Sequence, residues 1–138
     1  MISFAKDMPL IAALWIAGLV QLAIALANFV LPGKLKYREN LACVAPIIRQ
    51  IFVVHSGYIV GIVLLFAALT FGFASELASG RGLGRFLAAS LSLFWFCRVP
   101  LQLLYYDPDL RRANRAGDVA MTAGLVFVAS TYAWAALA

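Results

Sequence analysis

The chain has 138 residues, 64% of them hydrophobic and 12% charged, with a formal net charge of +5. Soluble domains are just under half apolar and about a quarter charged, so this composition argues against a water-soluble globular domain. The positive charge does not point to nucleic acid, because the basic residues sit mainly between long apolar runs. Anionic lipid headgroups and the topology rule are their natural partners there.

A helix needs about 20 mostly apolar residues to cross a hydrocarbon layer roughly 30 Å thick. Four such runs are present. The sequence therefore predicts an all-α fold, a single integral-membrane domain of four transmembrane helices in one bundle, spanning about 8–31, 47–73, 85–106 and 118–138. Asp7 is a candidate N-cap for the first span, with Pro9 in its first turn and Pro32-Gly33 closing it. No small-x-small cleavage pattern follows this run, so it reads as a retained span. The basic stretch Lys34 to Asn40 leads to Pro46, which suits the first turn of the second span. The next connection, Ser79-Gly-Arg-Gly-Leu-Gly84, is short and too sparse for a phosphate loop. Pro100 should free the carbonyl of Phe96 and kink the third helix. Beyond Asp107-Pro108 comes a polar segment with Arg111, Arg112 and Arg115, and Gly117-Asp118 is expected to cap the fourth span.

The first and third connections, with the flanking Arg49, hold Lys34, Lys36, Arg38, Arg49, Arg111, Arg112 and Arg115. Lys6, Arg81 and Arg85 lie on the other side. This bias places the first and third connections in the cytoplasm and both termini outside it. The layout fits a bacterial inner-membrane protein.

Ionisable groups at membrane depth are costly and are the first functional candidates. Gln21, His55 and Arg98 fall at similar depth, roughly 12 to 15 Å below the cytoplasmic boundary. Trp95, Arg98, Gln102, Tyr105 and Tyr106 share an arc of roughly 100° on an ideal helix. Gln21 and Asn28 share a face of the first span, where Gly18 and Ala25 leave room for a neighbour, and His55 and Tyr58 share a face of the second. If all these faces turn inward they form a pocket open to the cytoplasm, with Arg49, Tyr105, Asp107 and Asp118 at its mouth. The candidate ligand-binding residues are therefore Gln21, His55, Tyr58, Trp95, Arg98, Gln102 and Tyr105. They suit an anionic or carbonyl-bearing ligand such as a quinone or a lipid phosphate headgroup. The structural alternative has Arg98 snorkelling or pairing with Asp118 or Asp107, and the amides bridging helices.

His55 is the only histidine. A bis-histidine haem would need a second copy or a partner protein, and a neutral His55 bonded to a backbone carbonyl or to Tyr105 is the plainer reading. No carboxylate lies within a span, which argues against both an acid–base pair and a cation-coupled carrier. Cys43 and Cys97 lack metal-site or redox spacing and read as free thiols. Gly57 and Gly61 form a small-xxx-small element for helix packing, against another chain or within the bundle. Tyr132 and Trp134 read as interfacial anchors. Together these features favour a non-enzymatic accessory or structural subunit that forms a homo-oligomer or joins a larger membrane complex. The alternative is a ligand-binding redox subunit or lipid-modifying enzyme with a quinone, haem or anionic-headgroup pocket near Arg98 and His55; a small oligomeric carrier or channel ranks third.

Overall fold

The computed structural model describes residues 2–138, with side chains from Asp7 onward. Among them no strand is present. Four long helices, α1 (Ile2–Lys34), α3 (Pro46–Gly72), α5 (Gly82–Pro100) and α7 (Arg115–Leu137), are joined through the short helices α2 (Tyr37–Asn40), α4 (Ala74–Ala78) and α6 (Pro108–Ala113). By length and composition, Asp7–Lys34, Pro46–Gly72, Gly82–Tyr105 and Arg115–Leu137 can each cross a membrane.

Several helix ends differ from the sequence expectation. Helix α1 runs back through Asp7 to Ile2, so Asp7 is an interior residue and not an N-cap. Pro9 and Pro32 both lie inside it. A proline removes only one backbone donor, and the helix continues past both. The chain leaves α1 through Lys36, held in the left-handed region at φ 49°. Pro46 occupies the first turn of α3, as its fixed φ and missing N–H favour. Helix α7 begins at Arg115 with Asn114 as its N-cap residue, so Gly117 and Asp118 lie in the first turn instead of before it. The side chain that does cap a helix here is Asp107, whose Oδ1 accepts from the backbone N–H of Asp109 at 2.7 Å and of Leu110 at 3.4 Å, opening α6.

Helix α5 packs most extensively against α7 and α3 against α1, while α1 joins the two pairs through α7. Phe66 of α3 meets Phe94 of α5 edge-on, with ring centroids 5.1 Å apart. Much of the contact surface is alanine: Ala17, Ala25, Ala67, Ala88, Ala129 and Ala135 are all fully buried, and such small side chains let helix backbones approach closely. Gly18 serves the same end, with the ring of Phe71 seated where a Cβ would stand.

The core is one-ended. Leu10, Leu14, Leu77, Leu91, Val128 and Tyr132 are buried toward the second connection. By contrast, no residue from Pro46 to Ile62, and none from Leu101 to Gly124, is buried. The closed end depends on the second connection, where Gly80 and Gly82 adopt positive φ and Gly84 lies directly on the carbonyl of Glu76. A Cβ at position 84 would collide with that backbone oxygen, whereas one at position 57 meets open space. Gly84→Ala should therefore destabilise the fold by about 1–3 kcal/mol through overpacking. Thermal unfolding of the purified protein checks this, with Gly57→Ala as the control that holds or gains stability.

Candidate functional site

Three long helices meet at one buried polar node. Gln21 of α1, Thr70 of α3 and Tyr132 of α7 are each inaccessible to solvent. Thr70 Oγ1 donates its single proton to the carbonyl of Phe66 at 2.6 Å, and it also contacts the Tyr132 hydroxyl closely. Tyr132 must then donate to Thr70, which leaves its oxygen to accept from Gln21 Nε2 at 2.7 Å. The same amide reaches the Ala17 carbonyl at 3.3 Å. The chain of donors thus runs from α1 through α7 to α3, and it fixes which way the Gln21 amide faces. Gln21 Oε1 is left buried without a partner, as is Nε1 of Trp95. Nearby, Ser92 Oγ donates to the Ala129 carbonyl at 3.0 Å and ties α5 to α7.

Tyr132 is thus a core residue and not the interfacial anchor its place near Trp134 implied. It continues the buried stripe Leu125, Val128, Ala129, Tyr132, Ala135 and Ala136, whose helical spacing was the available signal. Trp134, half exposed, is free to take the interfacial role.

A second polar cluster lies at the other end of α7. After Pro100 the α-helical pattern gives way to a π-helical turn, Leu101–Tyr105, of the kind that leaves carbonyls in need of partners. Arg111 meets that need: its Nη1 donates to the Leu103 carbonyl at 2.6 Å, while Nε and Nη2 grip the two oxygens of Asp118 at 3.0 and 2.9 Å. Gln102 Nε2 adds a bond to Asp118 at 2.9 Å. The hydrogen bonds that Arg111 donates to Asp118 raise its pKa above the ordinary value, against a smaller opposing effect of desolvation. A raised cation pKa stabilises the fold below the ordinary arginine range, and that contribution is lost only at more alkaline pH.

The seven candidate ligand residues do not come together as one pocket. Gln21 belongs to the buried node, Gln102 to the Asp118 cluster, and Trp95 to the core. Arg98 pairs with neither Asp118 nor Asp107; its Nη2 donates to the Tyr106 hydroxyl at 3.1 Å, with the guanidinium 5.3 Å from that ring's centre. Tyr105 is 80% exposed. The π-turn changes the angular advance after Pro100, which takes Gln102 and Tyr105 out of line with Trp95 and Arg98. Asn28 bonds back to its own helix at Ile24.

His55 and Tyr58 lie on the outside of α3. That helix is seated by Val63, Ala67 and Thr70, and residues 55 and 58 project well away from that stripe. His55 Nδ1 donates to the Ile51 carbonyl at 2.9 Å, which leaves Nε2 facing outward. Gly57 and Gly61 sit on the face opposite the buried stripe, and no described atom lies within 4 Å of where their Cβ atoms would be. Packing within the chain therefore does not use this glycine pair. Instead, Gly57 and Gly61 line an apolar groove of about 500 Å³ together with Val53, Val54, Tyr58 and Ile62. Cys43 and Cys97 are exposed and unbridged.

Comparison with models of known protein families, with curated proteins and with solved structures finds no match for this chain. Chemically, the node is a set of hydrogen bonds that locks three helices, without a charged group among its members. Tyr132→Phe removes the hydroxyl on which both Gln21 and Thr70 depend and should cost about 1–3 kcal/mol. A lowered unfolding temperature for Tyr132→Phe beside an unchanged one for Tyr105→Phe would match this account.

Proposed function

We propose that this chain is an integral membrane protein, a four-helix transmembrane bundle kinked at Pro100, that acts as a non-enzymatic accessory or structural subunit. Its outward face of α3 docks on a second copy or on a larger membrane subunit. The observation that carries this reading is the groove along Val53, Gly57, Tyr58, Gly61 and Ile62, an apolar surface with a glycine pair that no described residue covers. Glycines at this spacing let two helix backbones approach in lipid, where close packing takes over from the hydrophobic effect as the source of association.

The membrane placement is supported by large apolar side chains exposed along all four long helices, among them Trp15, Leu26, Phe29, Ile47, Leu65, Phe86, Leu93 and Val126. In water such a continuous apolar surface would aggregate. The unequal distribution of Lys and Arg supports a bacterial inner-membrane orientation with the first and third connections cytoplasmic and both termini outside. The ligand-site reading, with quinone, haem or an anionic headgroup near Arg98 and His55, has less support, because Arg98, His55 and Gln21 occupy three separate environments.

Two outcomes are expected. Gly57→Ile combined with Gly61→Ile should convert the assembly seen by chemical cross-linking in native membranes into the single chain. Thermal stability should hold, since a Cβ added at either position meets no described atom and points into open space. A cross-linking pattern identical to wild type would refute the docking face. Separately, Ser79→Cys in intact cells should react with a membrane-impermeant thiol reagent; reaction only after the cytoplasm is opened would invert the orientation.

A further inference from the structure

We infer that the junction of α6 and α7 is a binding site for a phosphate group, of the kind carried by an anionic lipid headgroup or by a free phosphate ester, with Arg112 and Arg115 as its ligands. A cavity of about 460 Å³ opens there, lined by Pro108, Arg111, Arg112, Arg115, Asp118 and Val119. Three guanidinium groups face a single carboxylate, so the lining carries a net charge of +2, three minus one.

The three arginines are not equivalent. Arg111 is used up, with its Nε and Nη2 on Asp118 and its Nη1 on the Leu103 carbonyl. Its role is to neutralise Asp118 and hold the wall of the cavity. Arg115 makes no side-chain hydrogen bond or ion pair among the described residues. Arg112 has only Asp109, at 3.5 Å, with both side chains more than 80% exposed at 81% and 90%. A pair so open to solvent contributes little and exchanges readily for a better ligand. One unpaired fork, Arg115, and one held only by a solvent-exposed pair, Arg112, suit the bidentate geometry by which arginine grips phosphate oxygens.

The apolar side of the cavity bears on the source of the phosphate. Val119, 57% exposed, lines the cavity where α7 begins its apolar run. A lipid phosphate at this depth would place its charge on Arg112 and Arg115 and its chains along the helix. This inference rests on the membrane reading above.

The test is native mass spectrometry of the full chain in mild detergent, supplied with equal amounts of phosphatidic acid and phosphatidylcholine. Wild type should retain phosphatidic acid about tenfold more than phosphatidylcholine, the scale expected from charge-assisted hydrogen bonds. Arg112→Gln with Arg115→Gln should abolish that preference. Lys34→Gln with Arg38→Gln, which removes the same charge from the first connection, should keep it. Displacement by millimolar inorganic phosphate would assign the site to free phosphate esters, and resistance to it would assign the site to the lipid. Equal retention of both lipids by wild type, or a preference that survives in the Arg112 and Arg115 variant, would overturn the site. Alkaline carbonate extraction of the same proteins keeps the two readings apart: release of wild type from the membrane pellet would sink the membrane reading itself, whereas loss of lipid preference with the protein still in the pellet bears on this site alone.

Discussion

The hydrogen bonds among Gln21, Tyr132 and Thr70 set the arrangement of α1, α3 and α7, because apolar packing alone would let these alanine-rich surfaces slide past one another. Apolar contacts are weakly directional, whereas a buried hydroxyl or amide that loses its partner costs the desolvation of that group. Each proton in this node has one destination, so rotation or translation of any of the three helices breaks at least one bond. Helix α5 is then held by Ser92 and by Trp95, whose ring fills the core beside Phe94.

Below that node the bundle loosens, and the cluster around Arg111 takes over its role. Pro100 disrupts regular helical bonding, the π-turn follows, and the Arg111 guanidinium gathers a freed carbonyl and the Asp118 carboxylate at once. One residue thereby links the end of α5 to the start of α7 across the third connection. Among the described residues the outer half of α3 has no comparable hydrogen bond to another helix, and its glycine pair meets no described atom. The end at the second connection is thus well packed, while the opposite end leaves apolar surface exposed.

Much of this was legible in the sequence, and the failures have physical causes. Four long apolar helices followed from the lengths of the apolar runs, and Pro46 marked a helix start because its chemistry fits only a few positions. The assignment of Asp7 as a cap failed because capping preference is weak beside an uninterrupted helical run. The inward polar pocket assumed an ideal helical advance through residues 95–106, which the π-turn interrupts. Tyr132 was misplaced because tyrosine near a span end has two good uses, and only its alignment with Thr70 and Gln21 on other helices chooses between them. Thr70 itself drew no notice, since a threonine can satisfy its hydroxyl on its own helix and remain silent. The sequence marks Arg111 only as a topology residue, because its grip on Leu103 depends on a turn geometry that no spacing rule encodes.

The central claim is that the polar interior is structural and the outer face of α3 is where this protein acts. Native mass spectrometry of the wild-type protein released gently from its own membrane, with an absorbance spectrum of the same sample, addresses both halves. The account predicts an assembly of two or more chains, or this chain with a larger membrane subunit, and no absorbing cofactor assigned to it. A single chain carrying a haem or a quinone of defined mass would contradict it.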